Sequence, residues 1–195
     1  MEKVTLAALH EAVLRHLQNR DDVVVFGAQA VNAYVEEPRM TEDVDILSLN
    51  AGQTAHELRD LLAARFQIAT RVREVIDGRA FRVYQLRTPK NRHIVDVRHV
   101  DVLPPSNRIA GIQVPTPEEL VAEKVVCWMA RRQQPKGGTD WRDIAVLLLR
   151  YPDLKVEGGA VAVRLEAMGA TPAAYAAWSQ ICTTPIEAPD EGEGW

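Results

Sequence analysis

The hydrophobic positions change their period twice along the chain. Residues 5–18 place Leu6, Leu9, Val13 and Leu17 at steps of three to four, which predicts an amphipathic helix. Val23 to Phe26 is a short, wholly apolar run that stops at Gly27, the pattern of a buried strand. A short helix is expected over Ala28 to Val35, then a turn through Pro38. Arg39-Met40-Thr41 leads into a second apolar strand that carries Asp43 and Asp45. Residues 53–66 return to helical spacing with Leu58, Leu61, Leu62 and Phe66. From Ile68 the period becomes two. Residues 68–76 and 80–87 flank Asp77-Gly78, a strong hairpin signal. A third alternating run, Arg92 to Val100, holds Asp96. Pro104-Pro105-Ser106-Asn107 breaks the pattern before a short strand, Ile112 to Val114.

Beyond that point the pattern is helical. Thr116-Pro117-Glu118-Glu119 reads as a capping box with Pro at the first helical position, opening a helix that runs to about Arg132. Gln133 to Gly138 is expected to be a loop, and Thr139 to Leu149 the next helix. Residues 157–168, closed by Gly169, and Thr171 to about Cys182 complete the set. There are no internal repeats. The pattern predicts an α+β protein with a mixed β-sheet and flanking helices, followed by a C-terminal helical bundle. The expected division is an α/β core at 1–115, a helical subdomain at 116–182 and a flexible acidic tail at 183–195.

Composition narrows the class. The 195 residues are 47% hydrophobic and 26% charged, the profile of a globular protein with a sizeable core. Two cysteines, Cys127 and Cys182, are too few for a disulfide framework and point to a reducing cytoplasm. The first residues lack a cleavage site of signal-peptide type, and no apolar run reaches membrane-spanning length. The tail after Cys182 contains Glu187, Asp190, Glu191 and Glu193 and no base, so it accounts for the whole net charge of −4. Within the neutral remainder, bases gather at Arg71, Arg73, Arg79, Arg82, Arg87, Lys90 and Arg92, and again at Arg131, Arg132 and Lys136. Such a face suits phosphates or nucleic acid, although solvated outer strand faces explain most of these residues individually.

The candidate chemistry lies between Gly27 and Asp96. Strand side chains alternate, so Asp43 and Asp45 share a face. Two acids there repel unless a cation lies between them. If the Asp96 strand pairs beside them, three carboxylates converge, enough for two Mg²⁺ ions or Mn²⁺. Acids at a strand end are otherwise solvated or cap a neighbouring group. Gly27 ends a strand and opens a helix, which turns backbone N–H groups toward an anion; its simpler role is to permit the turn. Arg39 either binds phosphate or pins the turn, and Thr41 anchors the strand entrance. His93 and His99 face away from Asp96 on an ideal strand, which argues against a His–Asp metal site. Lys124 falls on an apolar helical stripe, where it must snorkel outward or have an anionic partner.

Together, the apolar strand, Gly27-Ala28, the helix, Arg39-x-Thr41-x-Asp43-Val44-Asp45 and the distant Asp96 resemble the nucleotidyltransferase superfamily with its polymerase-β-like fold. The closer similarity is to the AbiEii toxin-like branch of minimal nucleotidyltransferases. Pro117-Glu118-Glu119-Leu120 with Lys124, and Asp140-Trp141-Arg142-Asp143, stand where that branch has its later motifs. The resemblance covers about residues 20–150. It implies that Asp43 and Asp45 hold the metal ions and that Asp96 is the third carboxylate and helps deprotonate the acceptor. It implies too that Gly27 and Ala28 face the triphosphate, that Lys124 reaches toward phosphates and that Asp143 organises its helix or the acceptor side. The implied activity moves a nucleoside monophosphate from an NTP to a hydroxyl acceptor, an RNA end or a protein side chain, in a toxin-like protein with an antitoxin partner. Ala28 departs from the Gly-Ser or Gly-Gly of the family, which weakens the triphosphate grip. The alternative is a catalytically degenerate nucleotide-binding or partner-binding protein on the same fold; a nucleic-acid-binding module using the Arg-rich hairpin is a third reading.

Overall fold

In the computed structural model, residues 4–188 are described; Asp190, Glu191 and Glu193 of the acidic tail lie outside them. The chain divides into two compact units at Pro115/Thr116, with Tyr34–Glu36 counted in the second.

The first unit is a five-stranded mixed sheet with helices on one face. Helix α1 (Leu6–Leu17) is capped by Thr5, whose hydroxyl accepts from the Ala8 amide, and it buries Leu9, Val13 and Leu17 completely or nearly so. Strand β1 (Val23–Phe26), helix α2 (Gly27–Asn32), strand β2 (Val44–Ser48) and helix α3 (Ala51–Phe66) follow. Strands β3 (Thr70–Ile76), β4 (Ala80–Gln85) and β5 (Arg92–His99) complete the sheet. The strand order is β1-β2-β5-β4-β3. All neighbouring pairs are antiparallel except β2 and β5, which run parallel. A parallel pair needs a crossover, and α3 with the β3–β4 hairpin supplies it. Val44, Ile46, Val83, Val95 and Val97 are fully buried and alternate with polar residues, so one sheet face belongs to the core.

Two details depart from the sequence expectation. Helix α2 stops at Asn32 rather than Val35, because Asn32 turns its amide to the Arg39 backbone, donating to its carbonyl at 2.8 Å and accepting from its N–H at 3.0 Å. Ser106 and Asn107, expected within the break, instead open strand β6 (Ser106–Ile109), which pairs with β7 (Ile112–Pro115) in a separate two-stranded ribbon. The turn between them uses Ala110 and Gly111, both at positive φ.

The second unit is helical. Helices α4 (Pro117–Arg131), α5 (Pro135–Arg150), α6 (Ala160–Ala167) and α7 (Pro172–Thr183) bury Leu120, Ile144, Leu147, Leu165 and Trp178. Thr116 does stand at the N-cap of α4, but its side chain makes no capping bond, and Glu119 is drawn instead to Arg164 of α6. The segment read as a loop through Pro135 and the glycine pair is the first turn of α5. Pro135 occupies the first position, where its missing N–H costs nothing. Gly137 packs against the Arg131 carbonyl, in space where a Cβ has no room.

Candidate active site

The sheet register sets the site. Phe26 pairs with Asp45, Asp45 with Asp96, Asp96 with Arg82 and Arg82 with Arg73. These five residues form one row across all five strands, on the face opposite α1 and α3. Directly paired neighbours on adjacent strands lie about 5 Å apart, so Asp45 and Asp96 stand side by side. Asp43 precedes β2 by one residue, at the strand entrance.

Asp45 has one defining contact. A Cβ built on Gly27 lies 2.6 Å from Asp45 Oδ2 and 3.3 Å from its Cγ, and Gly27 has φ +66°. The carboxylate therefore fills the space a side chain at position 27 needs, and the backbone angle independently favours glycine. Gly27 is required here for close approach as well as for the turn.

Asp96 is 5% exposed and is neutralised from both sides. Arg82 Nε donates to its Oδ2 at 3.1 Å, and Arg98 Nε lies 3.6 Å from its Oδ1. Arg98 also covers the Phe26 ring at 5.2 Å, a cation–π contact. Asp43 meets His93, whose Nδ1 lies 3.0 Å from Asp43 Oδ2, while His93 Nε2 lies 3.0 Å from the Val95 carbonyl. Burial pulls the His93 pKa down, but the hydrogen bond and charge of Asp43, with help from Val95 and Asp96, raise it overall.

The pairing of β4 with β5 corrects the expectation that His93 faces away from Asp96. Val83 pairs with Val95, but Tyr84 pairs with His93, leaving Ile94 as an extra residue. A bulge of this kind shifts the alternation by one and brings His93 to the Asp96 face. The Tyr84 and His93 rings then lie 5.2 Å apart. Nothing in the local sequence marks the bulge.

The loop before β2 is tied back to α2. Gln29 Nε2 donates to Thr41 Oγ1 at 2.7 Å, so Thr41 does anchor the strand entrance. Arg39 is held through its backbone by Asn32 and reaches the Met40 carbonyl at 3.4 Å. Arg39, Thr41 and Gln29 line a cavity of about 400 Å³ with Leu6 and His10 of α1, within the range of small-molecule sites. His10, set aside in the sequence, is 6% exposed, and its Nε2 has no hydrogen-bond partner among the described residues. Burial lowers its pKa, against the pull of Asp43.

Lys124 belongs to the helical unit and does not snorkel. It is 5% exposed; its Nζ lies 3.0 Å from Asp143 Oδ2 and 3.7 Å from Asp140 Oδ1. Arg131 reaches Asp140 at 3.1 Å. A buried ion network of this kind is maintained because each member is paired. Cys127 and Cys182 are free, and burial pushes both thiols up, which suits neither as a nucleophile.

The donor set suits a hard divalent cation: carboxylate oxygens on neighbouring strands, with no sulfur ligand among them. As arranged, Arg82, Arg98 and His93 take up oxygens of Asp96 and Asp43. Among the described residues, no group of three or more His, Cys, Asp or Glu side chains encloses a single point. A cation at this site would therefore take the place of protein cations already there.

The sheet is mixed, and its parallel pair carries two acids side by side. The chain matches the family described as "Nucleotidyl transferase AbiEii toxin, Type IV TA system" over residues 11–187 and belongs to that family. Its fold is similar to the Megavirus polyadenylate synthase, with TM-score 0.60 and 13% identity over 78% of this chain. It spans only 33% of that longer protein. It is also similar to JHP933 from Helicobacter pylori, with TM-score 0.52 and 11% identity over 90% of this chain and 88% of that one. No curated protein matches the sequence significantly. Among the described residues, no helix is long and apolar enough to cross a membrane.

Two stability outcomes follow. Gly27→Ala forces a left-handed backbone on alanine and drives its methyl into Asp45, so unfolding free energy falls by about 1–3 kcal/mol in urea melts. Lys124→Met removes the buried cation 3.0 Å from Asp143 and costs about 3–5 kcal/mol, much of it recovered in the Lys124→Met/Asp143→Leu double variant.

Proposed function

We propose that the chain is a metal-dependent nucleotidyltransferase whose reaction takes place at Asp43, Asp45 and Asp96. The observation that carries this reading is the β2–β5 register, which pairs Asp45 with Asp96 on a chain of this family. Asp43, Asp45 and Asp96 would hold Mg²⁺ or Mn²⁺, two ions by analogy with the superfamily. The bound cation would neutralise phosphate charge and polarise the α-phosphorus.

The protein's own residues do the rest. Gly27 and Ala28 present backbone amides to the triphosphate. Arg39 and Thr41 contact the nucleotide from the wall of the cavity they line. The acceptor hydroxyl oxygen bonds to the α-phosphorus, the bond to the bridging oxygen breaks, and pyrophosphate leaves with that electron pair. Asp96 takes the hydroxyl proton. For this, Arg82 and Arg98 must release it, and their side chains, 41% and 52% exposed, have room to swing outward. The acceptor is an RNA end or a protein side chain. The family's toxin–antitoxin description supplies the expectation of an antitoxin partner.

A second reading has its own support. Ala28 has no hydroxyl to offer a phosphate, and Asp96 is already neutralised by two arginines. On that reading the protein binds nucleotide or partner without turnover.

One experiment separates them: pure protein incubated with each radiolabelled NTP, Mg²⁺ and total RNA, scored for pyrophosphate and for label on RNA or protein. Transfer is expected in the wild type. Loss of groups that merely orient a metal ligand costs 10–100-fold, so Asp45→Asn, which removes a ligand itself, lowers transfer by at least about 100-fold. Binding without pyrophosphate release sinks the enzyme reading, and so does equal transfer by the variant.

A further inference from the structure

We infer that the sheet face running from Asp96 to the β3 edge is a track for the phosphodiester backbone of a single-stranded nucleic acid whose terminal hydroxyl is the acceptor. The inference rests on the nucleotidyltransferase reading for the direction of the track, and on independent observations for its existence.

The first observation is register. The row through the acids continues outward as Asp96, Arg82, Arg73. The row beside it runs His93, Tyr84, Arg71. Three arginines and a tyrosine therefore occupy one face of two adjacent strands, beginning at the acids and ending at the sheet edge. Val72 and Val83, one residue over, pair on the opposite face.

The second observation is charge. Arg73 lies directly opposite Arg82, and like charges in that position are destabilising. Asp96 compensates Arg82. Arg71 and Arg73 are exposed, and among the described residues no acid pairs with either guanidinium. Glu74, the nearest acid in sequence, turns instead to the Gly78 amide. With a net charge of −4 on the whole chain, attraction for polyanions has to come from such a local patch.

The third observation is shape. Successive same-face residues on β3 are about 7 Å apart and neighbouring strands about 5 Å apart. The cations thus repeat at intervals over two strands rather than meeting at a point. A free NTP gathers its charge close to its α-phosphorus, whereas a polynucleotide repeats it. Tyr84, half-buried between Arg71 and Arg82, adds an aromatic face of the kind on which unpaired bases stack.

The test is fluorescence anisotropy with labelled single-stranded 12-mers, one RNA and one DNA of the same sequence, between 50 and 200 mM KCl. For single strands, log K falls with log salt by about 0.7 per phosphate contacted. The Arg71→Gln/Arg73→Gln variant should bind both oligomers more weakly, with a salt slope shallower by about 1.4. Arg71→Lys/Arg73→Lys should restore the slope. Because both side chains are exposed and Arg73→Gln relieves a like-charge pair, the urea midpoint should stay at or rise slightly above the wild-type value, which establishes that the variant is folded. Asp45→Asn should bind the oligomers as the wild type does, so loss of the catalytic reading and loss of the track are read separately. An unchanged affinity and slope in the Gln variant overturns the inference and leaves the arginines as protection for an edge strand. So does a change confined to the KM for NTP.

Discussion

The site depends on one close approach, the carboxylate of Asp45 against the α-carbon of Gly27. No other residue type allows it. A side chain at position 27 would collide with Asp45, and the positive φ would strain it as well. With glycine, β1 ends, α2 begins, and β2 lies close enough for its acid to stand next to Asp96 on the parallel neighbour. The turn and the acid pair are thus one feature, although they are separated by a loop of eleven residues between α2 and β2.

Charge compensation is the second constraint. Three acids cannot gather on one sheet face without cations, and the protein supplies them. Arg82 and Arg98 bracket Asp96 and His93 meets Asp43. In the helical unit, Lys124 and Arg131 do the same for Asp140 and Asp143. The two sets differ in exposure. Lys124 is enclosed, so its pairing stabilises the bundle. Arg82 and Arg98 are half-exposed and are able to yield to a competing cation. Under the proposed function, that difference makes the sheet acids, rather than the bundle acids, the place where an external ion would exchange with protein charge.

Much of this was legible in the sequence because it is written in periods and turn residues. The alternation of Val44, Asp45 and Ile46, the Asp77-Gly78 hairpin and the Pro117 helix start are local signals, and the β-strands and helices fall where those signals place them. The resemblance carried by Arg39 to Asp45 led to the family to which the chain belongs. Other features were not legible. A bulge at Ile94 depends on how β4 and β5 pair, and nothing near His93 records it. Thr116 and Glu119 have the spacing of a capping box, yet Arg164, forty-five residues on, takes the glutamate. Pro135 and its glycines read as a loop because their helical role depends on close packing against Arg131. The row from Asp96 to Arg73 links three strands, so it emerges only once the strand order is known.

The central claim is that Asp45 and Asp96 share a divalent cation. Mn²⁺ binding followed by electron paramagnetic resonance tests it without reference to turnover. The account predicts that the wild type sequesters Mn²⁺ and that Asp45→Asn and Asp96→Asn each weaken binding by at least about 10-fold. Variants that hold Mn²⁺ as tightly as the wild type would contradict it.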